Sequence, residues 1–371
     1  MATQKIPGRA IKIGTDTIGD VMYFDGSAWT RLPIGEPGDL LIMNAAGTLP
    51  EWRSFEYQGS QFGYAVMGQR ILPGGTSQDL VTIEKFSYAS DTDAVDHCDA
   101  FTTGSHQSCC RSNTYGYANG GEQLTGGDAP PAGPTRNRIT KFSFASTANG
   151  TDVGDLLQSM GSAAGHSSGR YGYVSGGGIY AQPYEVNTIQ KYSVTADLNS
   201  TDVGDLTFVR QLCRGANSVT HGYTLGGSLA GWPTTSSFNN IEKFSFDTDG
   251  NSTDIANLTD DRGSGSACSS YTHGYLVGGV TYVTPGDVSA VRVDIIDKFT
   301  FASDSDATDV GNLSRTKSNH GGSSSTTHGY IAGGSGAPYT EIEKFPFASD
   351  SNASIVASLN QGRHQADGTQ N

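Results

Sequence analysis

Apolar positions in this chain come in short runs broken by turn-forming residues, and the same succession of runs returns along its length. Ile342-Glu343-Lys344-Phe345-Pro346-Phe347 is a β-rich run, followed by a turn of Ala348-Ser349-Asp350-Ser351-Asn352-Ala353. Asp, Asn, Ser and Gly supply turn conformations through side-chain hydrogen bonds or positive φ. In the preceding copy the turn leads into a second run, Thr308-Asp309-Val310-Gly311-Asn312-Leu313. Then come a small-residue run, Gly321-Gly322-Ser323-Ser324-Ser325-Thr326-Thr327, a tight turn at His328-Gly329, and Tyr330-Ile331-Ala332-Gly333-Gly334. The pattern predicts four strands of about five residues in each repeat of about fifty, a normal strand length. No amphipathic stretch of about ten residues or more interrupts it as a helix would.

The spacing of the repeats is more informative than their number. Ile-x-Lys-[Phe/Tyr] occurs at Lys85, Lys141, Lys191, Lys243, Lys298 and Lys344, and [aromatic/His]-Gly-Tyr at Gly63, Gly116, Gly172, Gly222, Gly274 and Gly329. One identical interval separates Lys85 from Gly116, Lys141 from Gly172, Lys191 from Gly222, Lys243 from Gly274 and Lys298 from Gly329. From each glycine to the following lysine the interval differs in every copy, longest from Gly116 to Lys141 and shortest from Gly329 to Lys344. A rigid unit therefore alternates with one segment of free length. Four-stranded units repeated around an axis are the blades of a β-propeller. The expected fold is all-β, with a six-bladed propeller over residues 56–371.

Closure of the ring is legible at the chain ends. A seventh glycine would fall near position 375, but the sequence stops at Asn371. Residues His364 to Gln370 are therefore expected to supply an inner strand that pairs with Gly63-Tyr64-Ala65-Val66-Met67-Gly68 and removes both sheet edges. The rival is that Phe55 to Gln61 is that inner strand.

Residues 1–55 stand outside the repeat and carry a weak duplication of their own. Gly19-Asp20-Val21-Met22-Tyr23-Phe24-Asp25-Gly26-Ser27-Ala28-Trp29 is echoed by Gly38-Asp39-Leu40-Leu41-Ile42-Met43-Asn44-Ala45-Ala46-Gly47 and Trp52. Asp25-Gly26 between apolar runs is a hairpin signal. Two hairpins bury too little surface to stand alone. Tyr23, Phe24, Trp29, Leu40, Leu41, Ile42 and Trp52 would need covering, by the ring or by other copies of the chain. A β-rich anchor or oligomerisation module is expected, with Tyr23, Phe24, Trp29, Leu41 and Trp52 as its candidate contacts.

Composition narrows the partners. The formal charge of −14 argues against a nucleic-acid or anionic-membrane binder. No signal-like apolar segment opens the chain and no run of about 18 apolar residues occurs, so a soluble protein folding in the cytoplasm is expected. Gly, at 50 residues, is about twice its usual share of roughly 7%; the excess falls at the repeated turns and in inner strands crowding one axis. Cys98, Cys109, Cys110, Cys213 and Cys268 are odd in number and form no C-x-x-C, so buried free thiols are expected rather than disulfides or a zinc site.

Two resemblances follow from these residues. The Gly-Gly after an apolar strand, then Ile-x-Lys-Phe and a turn, resembles the kelch repeat over roughly residues 56–371, although the usual Trp of the fourth strand is missing. The N-terminal run Gly-Asp-Val-Met-Tyr-Phe-Asp-Gly-Ser-Ala-Trp, with Gly-Asp-Leu-Leu-Ile-Met-Asn and Pro-Glu-Trp, looks like a module common in tail fibres of tailed bacteriophages. Ile-Asp-Lys-Phe-Thr-Phe-Ala-Ser-Asp with Thr-His-Gly-Tyr resembles proteins of marine phages. This resemblance implies a virion protein, attached to other virion proteins by its N-terminus and trimeric, in the virion tail after assembly in the host cytoplasm.

Blade geometry adds a direction. Strands alternate, so the variable connections between second and third strands all leave on one face. The one–two turns and the acidic three–four turns leave on the other. Because the N-terminal module joins at the one–two side, the variable loops are expected to point away from it, as a recognition surface on a rigid scaffold. Those loops hold Tyr180, Tyr184, Trp232, Phe238, Tyr282 and Tyr339 among Asn, Thr, Ser and Gly. Rigid aromatics among adaptable polar groups suit a receptor, a cell-surface glycan or protein. The bland alternative is that these rings pin long loops onto the scaffold.

Other motifs carry less. His221, His273 and His328 precede Gly-Tyr where Tyr115, Tyr171 and Phe62 stand elsewhere, which suggests turn packing. Asp247-Thr248-Asp249-Gly250-Asn251 lacks the full calcium-loop pattern. Gly165-His166-Ser167-Ser168-Gly169 matches G-x-S-x-G but falls in an inner strand, not on a strand-to-helix turn. Asn-x-Ser/Thr at Asn149, Asn199, Asn251 and Asn352 would need a secretory route. Lys85, Lys141, Lys191, Lys243 and Lys298 each precede an Asp at one constant interval (Asp96, Asp152, Asp202, Asp254, Asp309), with Ile355 in the last copy, so cross-strand ion pairs are expected within most blades. The expected function is a tail fibre recognising a host receptor, with no catalysis, cofactor or metal. The alternatives are a purely structural tail adaptor or capsid decoration, and a glycan hydrolase. The hydrolase would need converging carboxylates, and the variable loops offer Glu122, Asp128, Glu185, Asp287 and Asp294.

Overall fold

The structure, a computed structural model, describes residues 17–35, 40–43, 48–53, 57–123, 135–179, 184–231, 234–282 and 290–371. The chain divides into two compact units, Met1–Phe55 and Glu56–Asn371. Among the described residues there is no helix.

The second unit is a six-bladed β-propeller. Each blade is an antiparallel sheet of four principal strands, counted from the axis outward. Blade two holds Ser108–Arg111, Tyr115–Asn119, Arg136–Ser143 and Thr151–Met160; blade three holds Ala164–Ser167, Tyr171–Ser175, Thr188–Ser193 and Thr201–Asp205. Blade four holds Arg214–Asn217, His221–Leu225, Asn240–Ser245 and Thr253–Asn257; blade five holds Ser266–Ser269, His273–Tyr282, Ala290–Thr300 and Thr308–Asn312. Blade six holds Gly321–Ser324, His328–Ala332, Glu341–Pro346 and Ser354–Ser358. Blade one takes its inner strand, Asp367–Gln370, from the C-terminus and the rest, Phe62–Val66, Ser77–Ser87 and Val95–Gly104, from the start of the unit.

The closing register runs Asp367↔Val66, Gly368↔Ala65, Thr369↔Tyr64 and Gln370↔Gly63. The rival closure by Phe55 to Gln61 is thereby excluded. Its described part, from Tyr57, lies instead at the one–two end of the inner strands: the Gly59 N–H donates to Ser324 O, and Gln58 Nε2 to Ser269 O. Tyr57 O accepts from Gln370 Nε2 and from Arg111 Nη1, so the segment is held at the axis.

Neighbouring blades are joined by devices that repeat. In five of the six blades the Tyr of the Gly-Tyr turn packs on the ring three positions after the Lys of the next blade, as Tyr173 on Phe246 and Tyr275 on Phe347. The Asx eight positions after that Lys accepts the backbone N–H of the preceding blade's fourth strand through its side chain. Asn149, Asn199, Asn251, Asp306, Asn352 and Asp93 do this to Asp99, Asp155, Asp205, Asn257, Asn312 and Ser358. The four Asn-x-Ser/Thr triplets are thus members of a six-fold turn lock.

The ion pairs expected within blades are not formed. Lys141, Lys191, Lys243, Lys298 and Lys344 reach across to Asp197, Asp249, Asp304, Asp350 and Asp91 of the next blade's turn, at 2.5–2.6 Å. The reason is register. Lys191 stands opposite Thr201, while Asp202 stands opposite Gln190, so Lys and Asp leave opposite faces of the blade. At the sixth position Thr147 replaces the Asp, and Lys85 lies over the Phe62 ring at 4.7 Å. Thr147→Asp is expected to complete the circle and add a few tenths to about 1 kcal/mol, less at high salt. Urea midpoints at low and high salt would show it, and an unchanged low-salt midpoint would refute the equivalence.

Among the described residues, four further ion pairs lie wholly inside: Arg210–Glu242, Arg262–Asp297, Lys317–Glu343 and Arg363–Glu84. Each cation comes from the link into a blade and each carboxylate from that blade's third strand. All five cysteines are buried and free, and Cys109, Cys110 and Cys268 lie in inner strands. Burial pushes the Cys110 thiol up to about 11 and Cys268 to about 12.

In the first unit two hairpins are present among the described residues, Val21–Phe24 with Trp29–Leu32 and Leu40–Met43 with Pro50–Arg53. Asp25 closes the first turn by accepting from Ala28 N and Ser27 N, and these bonds hold its carboxyl well below the usual range. Trp52 Nε1 donates to Pro33 O at 2.7 Å. Phe24, Trp29 and Leu41 are exposed. Tyr23 and Trp52 are half-buried.

Candidate functional site

The variable connections and the links between blades share one face. Each link residue forms a bridge with the start of a variable connection: Ser105 with Glu122, Gly161 with Gly178, Gln211 with Ser228, Gly263 with Val280, Ser318 with Ser335 and His364 with Gln69. Among the described residues, three connections grow into hairpins. Gln69–Ile71 pairs with Ser77 to Asp79, Ser228–Gly231 with Thr234–Ser237, and in blade five the second and third strands run on to Tyr282↔Ala290.

At the centre of this face lies a ring that the sequence reading missed. His106, Ser162, Leu212, Ser264, Asn319 and Gln365, each at one and the same offset from its repeat lysine, all have φ between 54° and 59°. Their backbones form a closed circle. Ser162 N donates to His106 O, Leu212 N to Ser162 O, Ser264 N to Leu212 O, Asn319 N to Ser264 O, Gln365 N to Asn319 O and His106 N to Gln365 O, at 2.6–2.9 Å. A non-glycine residue in the left-handed region costs about 1–3 kcal/mol, and six in one ring persist because the hydrogen bonds over-determine them. The constant offset was visible in the sequence; the varied side chains hid it.

Above the ring is an axial cavity of about 290 Å³, lined by His106, Leu212, Ser264, Ser318 and Asn319 and by Val280, Ala290 and Arg292 of the blade-five hairpin. His106 Nδ1 lies 3.4 Å from Glu122 Oε2, and that contact lowers the Glu122 carboxyl against the opposing effect of burial. His364 stands near His106 and Arg292; burial first, then those two neighbours, disfavour its charged form.

The described aromatic candidates do not form one cluster. Tyr339 reaches the axial group, with its ring 6.0 Å from that of His364. Phe238 is pinned, stacked 6.1 Å from Phe208 with the Arg210 guanidinium 5.1 Å from its ring. The exposed ring of the pair is Phe208, which spacing gave no reason to choose. Tyr184 is exposed, at φ 70°. Tyr282 ends a strand, but its side chain, like Tyr180 and Trp232, lies outside the described residues.

The enzyme-like motifs resolve into structure. His166 of the G-x-S-x-G match is fully buried, hydrogen-bonded to Ser175 Oγ at 2.9 Å, and burial lowers its pKa to about 3. His221, His273 and His328 each bond the preceding threonine hydroxyl in their turns. Of the loop carboxylates, Glu122 pairs with His106 and Glu185 accepts from Gln211 Nε2, while Asp128 and Asp287 lie outside the described residues. No group of three or more metal-ligating side chains occurs among the described residues.

A larger cavity of about 440 Å³ opens between blades two and three on the opposite face, lined by Tyr115, Lys141, Val194 and Asp197. Its origin is a missing ring: Val194 stands where the other blades place Tyr88, Phe144, Phe246, Phe301 or Phe347. Val194→Phe is expected to fill it against Tyr117 and raise stability by about 0.5–2 kcal/mol. A lowered melting temperature would show the gap is shaped for something else. No protein-family model and no curated protein matches the chain.

Proposed function

We propose that this chain is a kelch-type attachment protein of a bacteriophage tail, a trimeric fibre component that binds a host-cell surface receptor through the variable face and catalyses no reaction. The supporting observation is the segregation of the two propeller faces. One gathers the connections of unequal length around an axial cavity; the other is locked by six equivalent turn contacts and five exposed ion pairs. Length can change on the first face without disturbing the blades, as changing receptors demand. The resemblance of the N-terminal run to tail-fibre modules supplies the virion context and the trimer.

The test is saturable binding of the labelled full chain to a panel of marine bacterial strains, with its mass measured in solution. Binding to a subset of strains is expected, abolished when the blade-four connection, residues 228–239, is exchanged for the short one of blade six. Absence of binding to every strain, or binding indifferent to the exchange, would overturn the reading.

A further inference from the structure

We infer that the axial cavity is a site for an acidic sugar, taking the carboxylate on Arg292 and the ring hydroxyls on the polar side chains of the axial circle. This rests on the receptor-binding reading and names the receptor's chemistry. Two observations and one match of chemistry converge. The Arg292 side chain is exposed at the cavity and its guanidinium has no hydrogen-bond or ion-pair partner among the described residues, in a chain whose formal charge is −14. Planar guanidinium matches carboxylate with two parallel N–H···O bonds. Asn319 Oδ1 in the cavity wall, and Gln365 Oε1 and His364 Nε2 beside it, are buried without a partner.

Unmet buried polar atoms carry a cost that a bound ligand removes. The two amide oxygens accept; they call for several hydroxyl donors spread over a ring, which acetate lacks altogether, a small phosphate cannot span and a sugar has. Glu122 also faces this region, but His106 at 3.4 Å engages it. Hydrophobic Leu212 and Val280 offer the apolar patches on which a sugar's C–H face rests. At about 290 Å³ the cavity lies just below the range of about 300–1,000 Å³ usual for small-molecule sites, room for one sugar ring rather than a chain.

The test is calorimetric titration of the full chain with a glucuronic- or galacturonic-acid trisaccharide, the same trisaccharides with the carboxyl reduced to the alcohol, and sodium acetate or phosphate. Binding of an acidic form is expected, at least tenfold weaker for its reduced form and for Arg292→Ala, and partly restored in Arg292→Lys. Acetate and phosphate are expected not to bind. Arg292 is exposed, so unfolding midpoints of the variants should match the parent. Equal affinity for reduced and acidic sugars, no sugar binding, phosphate binding as tight as the sugar, or undiminished binding by Arg292→Ala would overturn the inference. If the parent and Arg292→Ala adhere to cells alike, this inference falls while the attachment reading stands. If an acidic sugar binds through Arg292 but no strain is bound, the site stands and the attachment reading falls.

Discussion

A chain ending at Ala366 is expected to lose the cooperative unfolding of the propeller and to associate in solution. The missing segment, residues 367–371, supplies the whole inner strand of blade one, paired with Gly63 to Val66 along its length. It also ties both neighbours. The Asp367 carboxylate accepts from Cys109 N of blade two, and Gln370 Oε1 from Ser324 N of blade six. Asn371 O takes the Gln61 N–H, and Gln370 Nε2 holds Tyr57 at the axis. At about 1 kcal/mol for each net hydrogen bond, with the apolar burial of the closed ring added, the loss is on the order of 5 kcal/mol or more. Whole domains are stable by about 5–15 kcal/mol. The truncation also leaves the strand Phe62–Val66 with an unpaired edge, which invites pairing between molecules. Urea unfolding with size-exclusion chromatography reads both effects. The same midpoint as the full chain, as a monomer, would mean that the ring is not closed there. A milder form of the experiment is Gly368→Val, since a side chain at Gly368 would run into the Gly322 backbone.

That closure was legible because it follows from counting. Six lysines and five identical lysine-to-glycine intervals pointed to an inner strand after Lys344, and the pairing of Asp367–Gln370 with Gly63 to Val66 selects it over the rival from Phe55 to Gln61. The side on which length varies followed from the same intervals. What could not be read by hairpin logic was the traffic between blades. The sequence offers Lys191, for example, two carboxylates at offsets that recur in the other repeats: Asp202 further along its own blade, and Asp249 in the turn after the next repeat's lysine. Proximity along the chain favoured the first. The register favoured the second, because neighbouring positions on a strand face opposite blades. The aromatic candidates fared unevenly for a related reason. A ring in a variable loop has no equivalent in the other repeats, so nothing but its contacts decides whether it stacks inward, as Phe238 does, or joins the axial group, as Tyr339 does. The axial circle needed a third kind of reading, of backbone rather than side chains. Tyr57 has no repeat equivalent, and its place at the axis left no mark in the intervals.

The buried ion pairs make a sharper test, because two blades have already replaced them. The cations Arg210, Arg262, Lys317 and Arg363 stand at one constant offset after Lys191, Lys243, Lys298 and Lys344. The carboxylates Glu242, Asp297, Glu343 and Glu84 each immediately precede a repeat lysine. Into blade three the same positions are Met160 and Gln190; into blade two they are Gly104 and Thr140. Both members change together. Gln190 keeps the rest of the network: its Oε1 accepts from Leu157 N and Ser200 Oγ, and its Nε2 faces Met160 Sδ at 3.0 Å. Glu242 accepts from the equivalent Thr207 N and Ser252 Oγ. Arg210→Met alone leaves the carboxylate of Glu242 buried without its cation, and Glu242→Gln alone leaves the guanidinium. Each is expected to cost about 3–5 kcal/mol. The double change, Arg210→Met with Glu242→Gln, rebuilds the pair that blade three uses and should fall within about 1–2 kcal/mol of the parent, since a buried ion pair and a packed neutral substitute are often nearly equal in stability. Chemical unfolding of the two single variants and the double closes a cycle whose coupling energy is the quantity of interest. If the double variant is as unstable as the sum of the singles, the neutral pair of blade three depends on surroundings that blade four lacks, and the six joints are not interchangeable parts.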